Sequence, residues 1–417
     1  MSKRINRLLS NPYGATILKK GIVIMTGLLS MILLTRFLGP ELKGQYSYYF
    51  NIVTIGTTIL NLGISLVYPE YKRKDKDYRN VFLSLSFLQF FIYLIVSLSF
   101  WYLSDSNNYG MVAILVSVGI LNLQLSQINL VENIKSHSIV TSVGAISNLV
   151  FTLIIYLFFK NSVSIALILL LLKNAILIGG SIYVLKNNFH LEGSAKIFKT
   201  VVIAGFLPML TTVLVSINYR IDILLLNVMD VPFYDIGLYS TGVQLAEYAW
   251  MIPDIFKEVM MHKNARKDDL KHLFFSIRMA NTGVIMFILV VVLFGKQILQ
   301  LLFGSEFMGA YEITVLMFLA VPFMVYAKII GTLFIANGKW NFYFGTLFLA
   351  VVFNIGLNFA FVPLWGTIGS AFASVVSYAL SGVIFLCWLL KHTQVKWHEL
   401  IIVRGYDIKQ IYRKIKS

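Results

Sequence analysis

Long apolar runs, almost free of charge, recur from one end of this sequence to the other. A helix must keep about 20 apolar residues together to cross the hydrocarbon core of a bilayer. Runs of suitable length predict twelve transmembrane helices, at approximately 21–38, 46–68, 81–103, 111–131, 139–159, 164–185, 201–227, 236–256, 279–303, 313–335, 342–362 and 368–390. Within the ninth run, Gly295-Lys296-Gln297 predicts the end of the span and a short interfacial helix over 298–303.

The composition agrees with an all-α integral membrane protein. Hydrophobic residues make up 58% of the 417 residues and charged residues only 13%, which leaves too little polar surface for a soluble globule of this size. A single cysteine, Cys387, excludes an intramolecular disulfide and a cysteine-rich metal site.

The excess of basic residues is explained by the membrane. With 35 Lys and Arg against 19 Asp and Glu, the net charge is +16, which would suit nucleic acid if the charges covered a soluble surface. They are instead concentrated in the N-terminus, the tail and the loops of one side, as in 72–76 and 413–416. This pattern predicts both termini in the cytoplasm, contacts with anionic membrane lipids, and no nucleic-acid partner.

Two halves of the same topology are predicted, because six spans return the chain to its starting side. Gly44-Gln45-Tyr46-Ser47 opens the second span, and the similar Gly237-Leu238-Tyr239-Ser240 opens the eighth. Such recurrence is typical of parallel internal repeats. We therefore predict two six-helix lobes, 1–190 and 191–417, with a hinge in the polar linker 186–200.

Catalytic and cofactor motifs are absent from the sequence. No two histidines have the i, i+4 spacing of a zinc hydrolase, and no glycine-rich loop has the spacing that cradles ATP phosphates. Signatures of a catalytic nucleophile are missing as well, and the loops of the outer side are short. We therefore expect a protein that is not an enzyme and that holds no metal.

Five charged side chains are predicted well inside the spans, away from their ends, where a charge costs about 2.5–3.5 kcal/mol and is functional by default. For Lys173, near the middle of its span, we favour a cavity-facing role over bonding to backbone carbonyls; for Lys328, snorkelling to the inner surface is the alternative. Asp222 cannot pair with Arg220 two residues earlier on a helix, so an ion pair with another helix and a functional role are equally open. Glu247 is either a coupling carboxylate or a structural partner of Lys173 or Lys328.

Polar side chains follow one face of several spans. The residues predicted to line a cavity are Asn51 in span two, Asn122, Gln124 and Gln127 in span four, Ser216 in span seven and Gln244 in span eight. The small residues Gly369, Ser370, Ala373 and Ser374 are predicted only to pack helices closely. Charges and polar faces together predict a two-lobed bundle around a water-accessible, net-positive cavity, which suits an anionic headgroup.

Four short motifs resemble one family of transporters. They are Arg36-Phe37-Leu38-Gly39-Pro40 followed by Gly44-Gln45-Tyr46-Ser47, then Tyr219-Arg220-Ile221-Asp222, Gly237-Leu238-Tyr239-Ser240 with Glu247, and Leu302-Phe303-Gly304-Ser305-Glu306-Phe307. In this order, over nearly the whole chain, they resemble Wzx-type polysaccharide flippases of the multidrug/oligosaccharidyl-lipid/polysaccharide exporter (MOP) superfamily.

The resemblance implies a function and a set of site residues. Such a flippase moves undecaprenyl-pyrophosphate-linked oligosaccharide units of O-antigen, capsule or exopolysaccharide across a bacterial cell membrane. The implied mechanism is alternating access of two lobes, coupled to H⁺ or Na⁺, with a polysaccharide polymerase and a chain-length regulator as partners. Contacts to the pyrophosphate or acidic sugars are expected from Arg36, Lys173, Arg220 and Lys328, and coupling or gating from Asp222 and Glu247.

Two other functions stay open at this point. A multidrug and toxin extruder of the same superfamily would carry acidic residues for cationic drugs, whereas cations here equal or outnumber anions inside the spans. An integral-membrane glycan polymerase or acyltransferase would need a catalytic constellation and longer outer loops. A scaffold without transport activity is disfavoured by the stability cost of the in-span charges.

Overall fold

The computed structural model describes residues 12–74, 78–104, 106–186, 192–193, 195–264, 270–405 and 407. The described part consists of helices joined by short turns and contains no strand. The α-helices are α1 Pro12–Leu60, α2 Ile64–Arg73, α3 Arg79–Leu103, α4 Asn107–Glu132, α5 Ile134–Phe158, α6 Val163–Leu185, α7 Ala195–Val228, α8 Phe233–Asn264, α9 Leu270–Phe303, α10 Tyr311–Ala336 and α11 Trp340–His392. Two short 3₁₀ helices follow α9 and α11, at Ser305–Ala310 and Trp397–Leu400.

Nine helices of the described part are long and apolar enough to cross a membrane. This confirms a multi-pass, all-α membrane protein, because in lipid a helix is the structure that satisfies its backbone hydrogen bonds within one segment. Two of the nine, α1 and α11, have a glycine with a non-helical backbone, Gly39 (φ 66°) and Gly366 (φ 57°). The helix α11 covers two of the predicted spans, and α8 covers another. The helix α1 covers the first span and the start of the second, but the prediction of one continuous second span over 46–68 is wrong, because positive φ angles at Leu62 and Gly63 turn the chain before α2. The total of twelve stays a prediction.

The short interfacial helix predicted at 298–303 is wrong, since α9 runs without interruption from Leu270 to Phe303. Gly295 is accommodated inside this helix by a close neighbour: a Cβ at that position would lie 2.8 Å from the ring of Tyr311. The glycine is therefore explained by packing against the start of α10 and not by a helix end.

The chain divides into two compact units, Met1–Ser216 and Ile217–Ser417. The division falls within α7, at a point later than the predicted boundary at 190/191, which stays a prediction. Of the predicted hinge linker, Asn187, Asn188 and Ser194 lie outside the described residues, as does the basic run 413–416.

The N-terminal unit is built around a break between α1 and α2. The first helix ends at Leu60, and Asn61, Leu62 (φ 53°) and Gly63 (φ 70°) turn the chain before α2 begins. At Gly63 the backbone lies so close to Gly205 of α7 that a Cβ would be 2.1 Å from the Gly205 carbonyl oxygen. The turn is polar inside, since Gln124 Nε2 of α4 donates to Asn61 Oδ1 at 3.0 Å.

In the C-terminal unit, α10 is the central helix and packs against α8, α9 and α11. Its buried side chains lie on all sides, which is the pattern of a helix surrounded by protein. The helices α7, α8 and α11 contribute the polar side chains described next.

Candidate functional site

Asp222 of α7 is buried at the centre of a hydrogen-bonded network in the C-terminal unit. Tyr239 Oη of α8 donates to its Oδ2 at 3.0 Å, and Asn358 Nδ2 of α11 donates to its Oδ1 at 3.1 Å. Ser374 Oγ, also of α11, donates to Oδ2. Among the described residues, these partners of Asp222 are neutral donors, whose hydrogen bonds favour the carboxylate form.

A second tier of polar groups holds these donors in place. Ser370 Oγ donates to Asn358 Oδ1 at 2.7 Å, and Asn358 Nδ2 also donates to the Asn354 carbonyl at 2.9 Å. The prediction that Ser370 and Ser374 only pack helices is therefore wrong, because both hydroxyls are hydrogen-bonded within this network. At Gly369 close packing is present, since a Cβ there would lie 2.3 Å from the Phe361 carbonyl oxygen.

Arg220 and Glu247 form an ion pair between α7 and α8. Arg220 Nη1 lies 3.0 Å from Glu247 Oε1, and the two side chains are 23% and 21% exposed. This oxygen lacks the geometry of a hydrogen bond, so the contact is an ion pair by distance only. Within this unit Glu247 therefore pairs with Arg220 and not with Lys328, which has another partner. The alternative pairing of Glu247 with Lys173, which belongs to the N-terminal unit, stays a prediction.

Lys328 of α10 is paired with a carboxylate that the sequence reading did not single out. Its Nζ donates to Asp254 Oδ2 of α8 at 2.8 Å, and the two side chains are 11% and 43% exposed. The ammonium also lies 5.5 Å from the ring centre of Trp250, within the range of a cation–π contact. Each in-span cation predicted in this unit therefore has its own carboxylate, and the two pairs are balanced in charge.

Trp250 lies in an aromatic cluster beside the two ion pairs. Its ring packs at 5.0 Å from that of Tyr219 and at 5.5 Å from that of Tyr378. Its indole Nε1 is buried and makes no hydrogen bond within the described part of the chain. A buried donor without an acceptor costs about 1–3 kcal/mol, so this nitrogen marks a place that an acceptor group could fill.

The other two predicted cations belong to the N-terminal unit. Arg36 is exposed, three residues before the turn at Gly39, and Lys173 is partly buried in α6. Beside Lys173, Asn174 accepts from Asn122 Nδ2 of α4 at 2.8 Å, so the polar faces of these two helices meet.

The predicted polar lining is distributed over both units. Asn51 is buried and donates to the Ser47 carbonyl at 2.7 Å, within its own helix. Gln124 is also buried, since its Nε2 donates to Gln89 Oε1 at 2.7 Å as well as to Asn61. Gln127, Ser216 and Gln244 are partly exposed. In this structure Gln124 therefore packs inside its unit, and a cavity-lining role of these six residues stays a prediction.

The residues that sequence reading missed have recognisable signals. Asn354 and Asn358 stand four residues apart in an otherwise apolar span, so they share a helix face. Asp254 follows Pro253 near the end of its predicted span, where an acid is interpreted as part of a loop. A search for pairs of polar residues at helical spacing identifies Asn354 and Asn358. The role of Asp254 becomes clear only from the position of Lys328 in the structure.

Comparisons with known proteins agree with this architecture. The sequence matches the model of a family described as polysaccharide biosynthesis protein over residues 33–312. No curated protein matches the chain.

Solved structures of membrane transporters share the fold. A lipid II flippase MurJ in an inward closed conformation has 18% identity and a TM-score of 0.70, covering 90% of this chain and 87% of that one. A multidrug resistance MATE family transporter of the MOP superfamily, in an inward-facing conformation, has 15% identity and a TM-score of 0.65, covering 91% and 99%. A MOP superfamily transporter from Pyrococcus furiosus, with a binding pocket described as of reverse polarity, has 14% identity and a TM-score of 0.59, covering 93% and 97%.

Proposed function

Because this chain belongs to the polysaccharide biosynthesis protein family, we propose that it is a flippase for lipid-linked oligosaccharides. The proposed substrate is an undecaprenyl-pyrophosphate-linked repeat unit of O-antigen, capsule or exopolysaccharide. It is moved from the inner to the outer leaflet of a bacterial cell membrane, with both termini of the chain in the cytoplasm. The fold of the MOP superfamily, which flippases and multidrug transporters share, supports a transporter of this kind.

The observation that carries the proposal is the pair of cations held inside the membrane-spanning part of the C-terminal unit. Arg220 offers a planar guanidinium that matches two phosphate oxygens at once, and Lys328 offers a point charge. Neither side chain is sealed off, since 23% of Arg220 and 11% of Lys328 are exposed. We assign the pyrophosphate contact to these two residues. For the N-terminal unit taken by itself, Arg36 and Lys173 are proposed as substrate contacts.

Coupling to an ion gradient is assigned to the network around Asp222, with Glu247 as a gating carboxylate. The network offers a carboxylate, hydroxyl oxygens and amide oxygens from Tyr239, Asn358 and Ser374. Oxygen ligands of this kind suit a hard cation such as Na⁺, and the same carboxylate can take up H⁺. No further cofactor enters this proposal.

The test of the function is a strain that lacks this protein and has intact glycan synthesis. Surface polysaccharide and undecaprenyl-linked oligosaccharide are measured together. We expect the surface polymer to disappear while complete lipid-linked units accumulate on the cytoplasmic side. Normal surface glycan would favour a drug extruder of the same fold. Single repeat units that accumulate on the outer side would indicate a polymerase.

The same strain tests the role of the arginine. Arg220→Ala should abolish export at normal protein abundance, while Arg220→Lys should keep part of it, because the charge stays and the bidentate geometry is lost. Arg404→Ala serves as the matched control, since Arg404 is partly exposed in the segment after α11. Full export by Arg220→Ala would show that this residue is not part of the substrate site.

We further propose that the flipped unit is passed to a polysaccharide polymerase and a chain-length regulator.

A further inference from the structure

The carboxylates of the two ion pairs have a regular arrangement on one helix. Glu247 and Asp254 stand seven residues apart on α8, so they lie on the same face and about 10 Å apart along the helix axis. Glu247 holds Arg220 of α7, and Asp254 holds Lys328 of α10. One face of one helix therefore supplies the counter-charge for both cations.

The two pairs act on each other, because their charges are close enough to interact. Lys328 is attracted by Glu247 as well as by Asp254, and it is repelled by Lys257. All four side chains of the pairs are partly exposed, so neither pair is fully enclosed by protein. Partly exposed ion pairs are weak, so a ligand with several negative charges can replace them.

The indole of Trp250 gives an independent indication of an acceptor ligand. Trp250 lies between Glu247 and Asp254 in the sequence of α8, and the Lys328 ammonium sits over its ring at 5.5 Å. Its buried Nε1 donor has no acceptor within the described residues. A phosphate oxygen that approached Lys328 would supply the missing acceptor.

From these contacts we propose that Glu247 and Asp254 compete with the substrate diphosphate for Arg220 and Lys328. In the substrate-free chain the carboxylates neutralise the cations. An incoming diphosphate replaces both carboxylates at once, and one of its oxygens accepts from Trp250 Nε1. Asp254 and Trp250 thereby join the substrate site as specificity-determining residues.

This arrangement selects a ligand by its charge. A diphosphate can replace two carboxylates, whereas a lipid with one negative charge replaces at most one and leaves the other pair intact. An uncharged lipid replaces neither. The inference rests on the proposed function for the identity of the natural ligand, but the selection itself can be measured with a simple probe.

The test is binding of farnesyl pyrophosphate to the purified full-length chain in lipid nanodiscs, with farnesol and inorganic pyrophosphate for comparison. Glu247→Gln and Asp254→Asn each remove one competing carboxylate while keeping the shape of the side chain. Each should lower the Kd for farnesyl pyrophosphate about three- to tenfold, as expected for a pair of about 1 kcal/mol. Farnesol binding should not change.

The matched control is Glu312→Gln, which removes one negative charge from an exposed position in the first turn of α10 and should leave the Kd unchanged. Trp250→Phe keeps a ring but removes the donor, so it should raise the Kd about threefold or more. A melting curve of each variant shows whether it is folded. If Glu247→Gln does not fold, the result for Asp254→Asn alone tests the inference.

Two results would overturn the inference. One is a Kd that stays the same or rises in Asp254→Asn. The other is an equal decrease in Glu312→Gln, which would show a general charge effect. Either result is compatible with a flippase, because the proposed function fails on a separate observation, namely normal surface glycan in the strain that lacks the protein.

Discussion

Arg278 of α9 and Asp407, beyond α11, form a bidentate ion pair that is almost completely buried. Arg278 Nε donates to Asp407 Oδ2 and Nη2 donates to Oδ1, both at 2.7 Å, and the side chains are 6% and 1% exposed. The segment between α11 and Asp407 is bound to the same helix at two more points. Asn281 Nδ2 donates to the Leu400 carbonyl at 3.1 Å, and Thr282 Oγ1 accepts from the Val403 N–H at 3.0 Å.

Asp407→Asn should destabilise the C-terminal unit by about 3 kcal/mol, because it leaves the Arg278 charge buried without its partner. The measurement is thermal unfolding of the purified protein in detergent. Glu399→Gln is the matched control, since Glu399 forms a partly exposed pair with Arg404 at 3.6 Å, and its effect should stay below about 0.5 kcal/mol. Equal melting temperatures for Asp407→Asn and wild type would show that the ion pair of Arg278 and Asp407 does not stabilise the attachment of the segment after α11 to α9.

The same residue predicts an acid-sensitive step in stability. Burial alone would raise the pKa of Asp407, but hydrogen bonds from Arg278 and from the Arg404 N–H outweigh it, so the pKa is lowered. The stabilising contribution is then complete above the pKa of the unfolded chain, at about 3.9. It is lost as the pH falls through the lower pKa of the folded protein. Melting temperatures between pH 7 and pH 3 should fall less steeply for Asp407→Asn than for wild type.

Gly63→Ala should prevent folding of the N-terminal unit or destabilise it by more than about 2 kcal/mol. The residue has φ 70° and its Cβ would lie 2.1 Å from the Gly205 carbonyl oxygen, so strain and collision act together. Protein abundance in the membrane and melting temperature are the measurements. Wild-type values for this variant would mean that the contact between the break and α7 is absent in the protein.

Gly179→Ala is the control for that substitution. Gly179 lies inside α6, and a Cβ there meets no atom within 4 Å. Alanine has the higher helix propensity, so this variant should be as stable as wild type or more stable by up to about 1 kcal/mol. Loss of stability in both variants would show that the N-terminal unit tolerates no change at its glycines, whatever their contacts.

Asp222→Asn should reduce export at least tenfold and make the remainder independent of the ion gradient. The amide keeps the shape but removes the charge that Tyr239, Asn358 and Ser374 are arranged to receive. Asp230→Asn is the control, because Asp230 is exposed in the turn after α7 and asparagine tolerates its φ of 57°. Export that keeps its full dependence on the gradient would assign Asp222 to structure alone.

Most of the architecture follows from the sequence, because bilayer thickness and backbone hydrogen bonding leave few alternatives. The apolar runs located the helices, although α1 and α11 join neighbouring spans at Gly39 and Gly366. A glycine inside a helix and a glycine at its end look alike in a sequence, so the place of Gly295 within α9 follows only from its contact with Tyr311.

The sequence is sufficient to identify several residues of the candidate site, but not the residues that each of them contacts. Arg220, Asp222 and Glu247 were identified from the cost of placing a charge in lipid. Their partners depend on which helices are neighbours: Asn358 lies 136 residues from Asp222 along the chain. The pair of Arg278 and Asp407, 129 residues apart, cannot be predicted for a related reason, because Arg278 in a basic loop is interpreted as a topology signal.

Asp222 accepts hydrogen bonds from residues on both sides of Gly366 in α11. Asn358 precedes this glycine in α11 and Ser374 follows it, and both donate to Asp222. The Asp222 carboxyl group of α7 therefore joins the two parts of α11 that meet at Gly366. In the proposed coupling role, an ion that occupies the lone pairs of this group competes with donors from both parts of the helix at once.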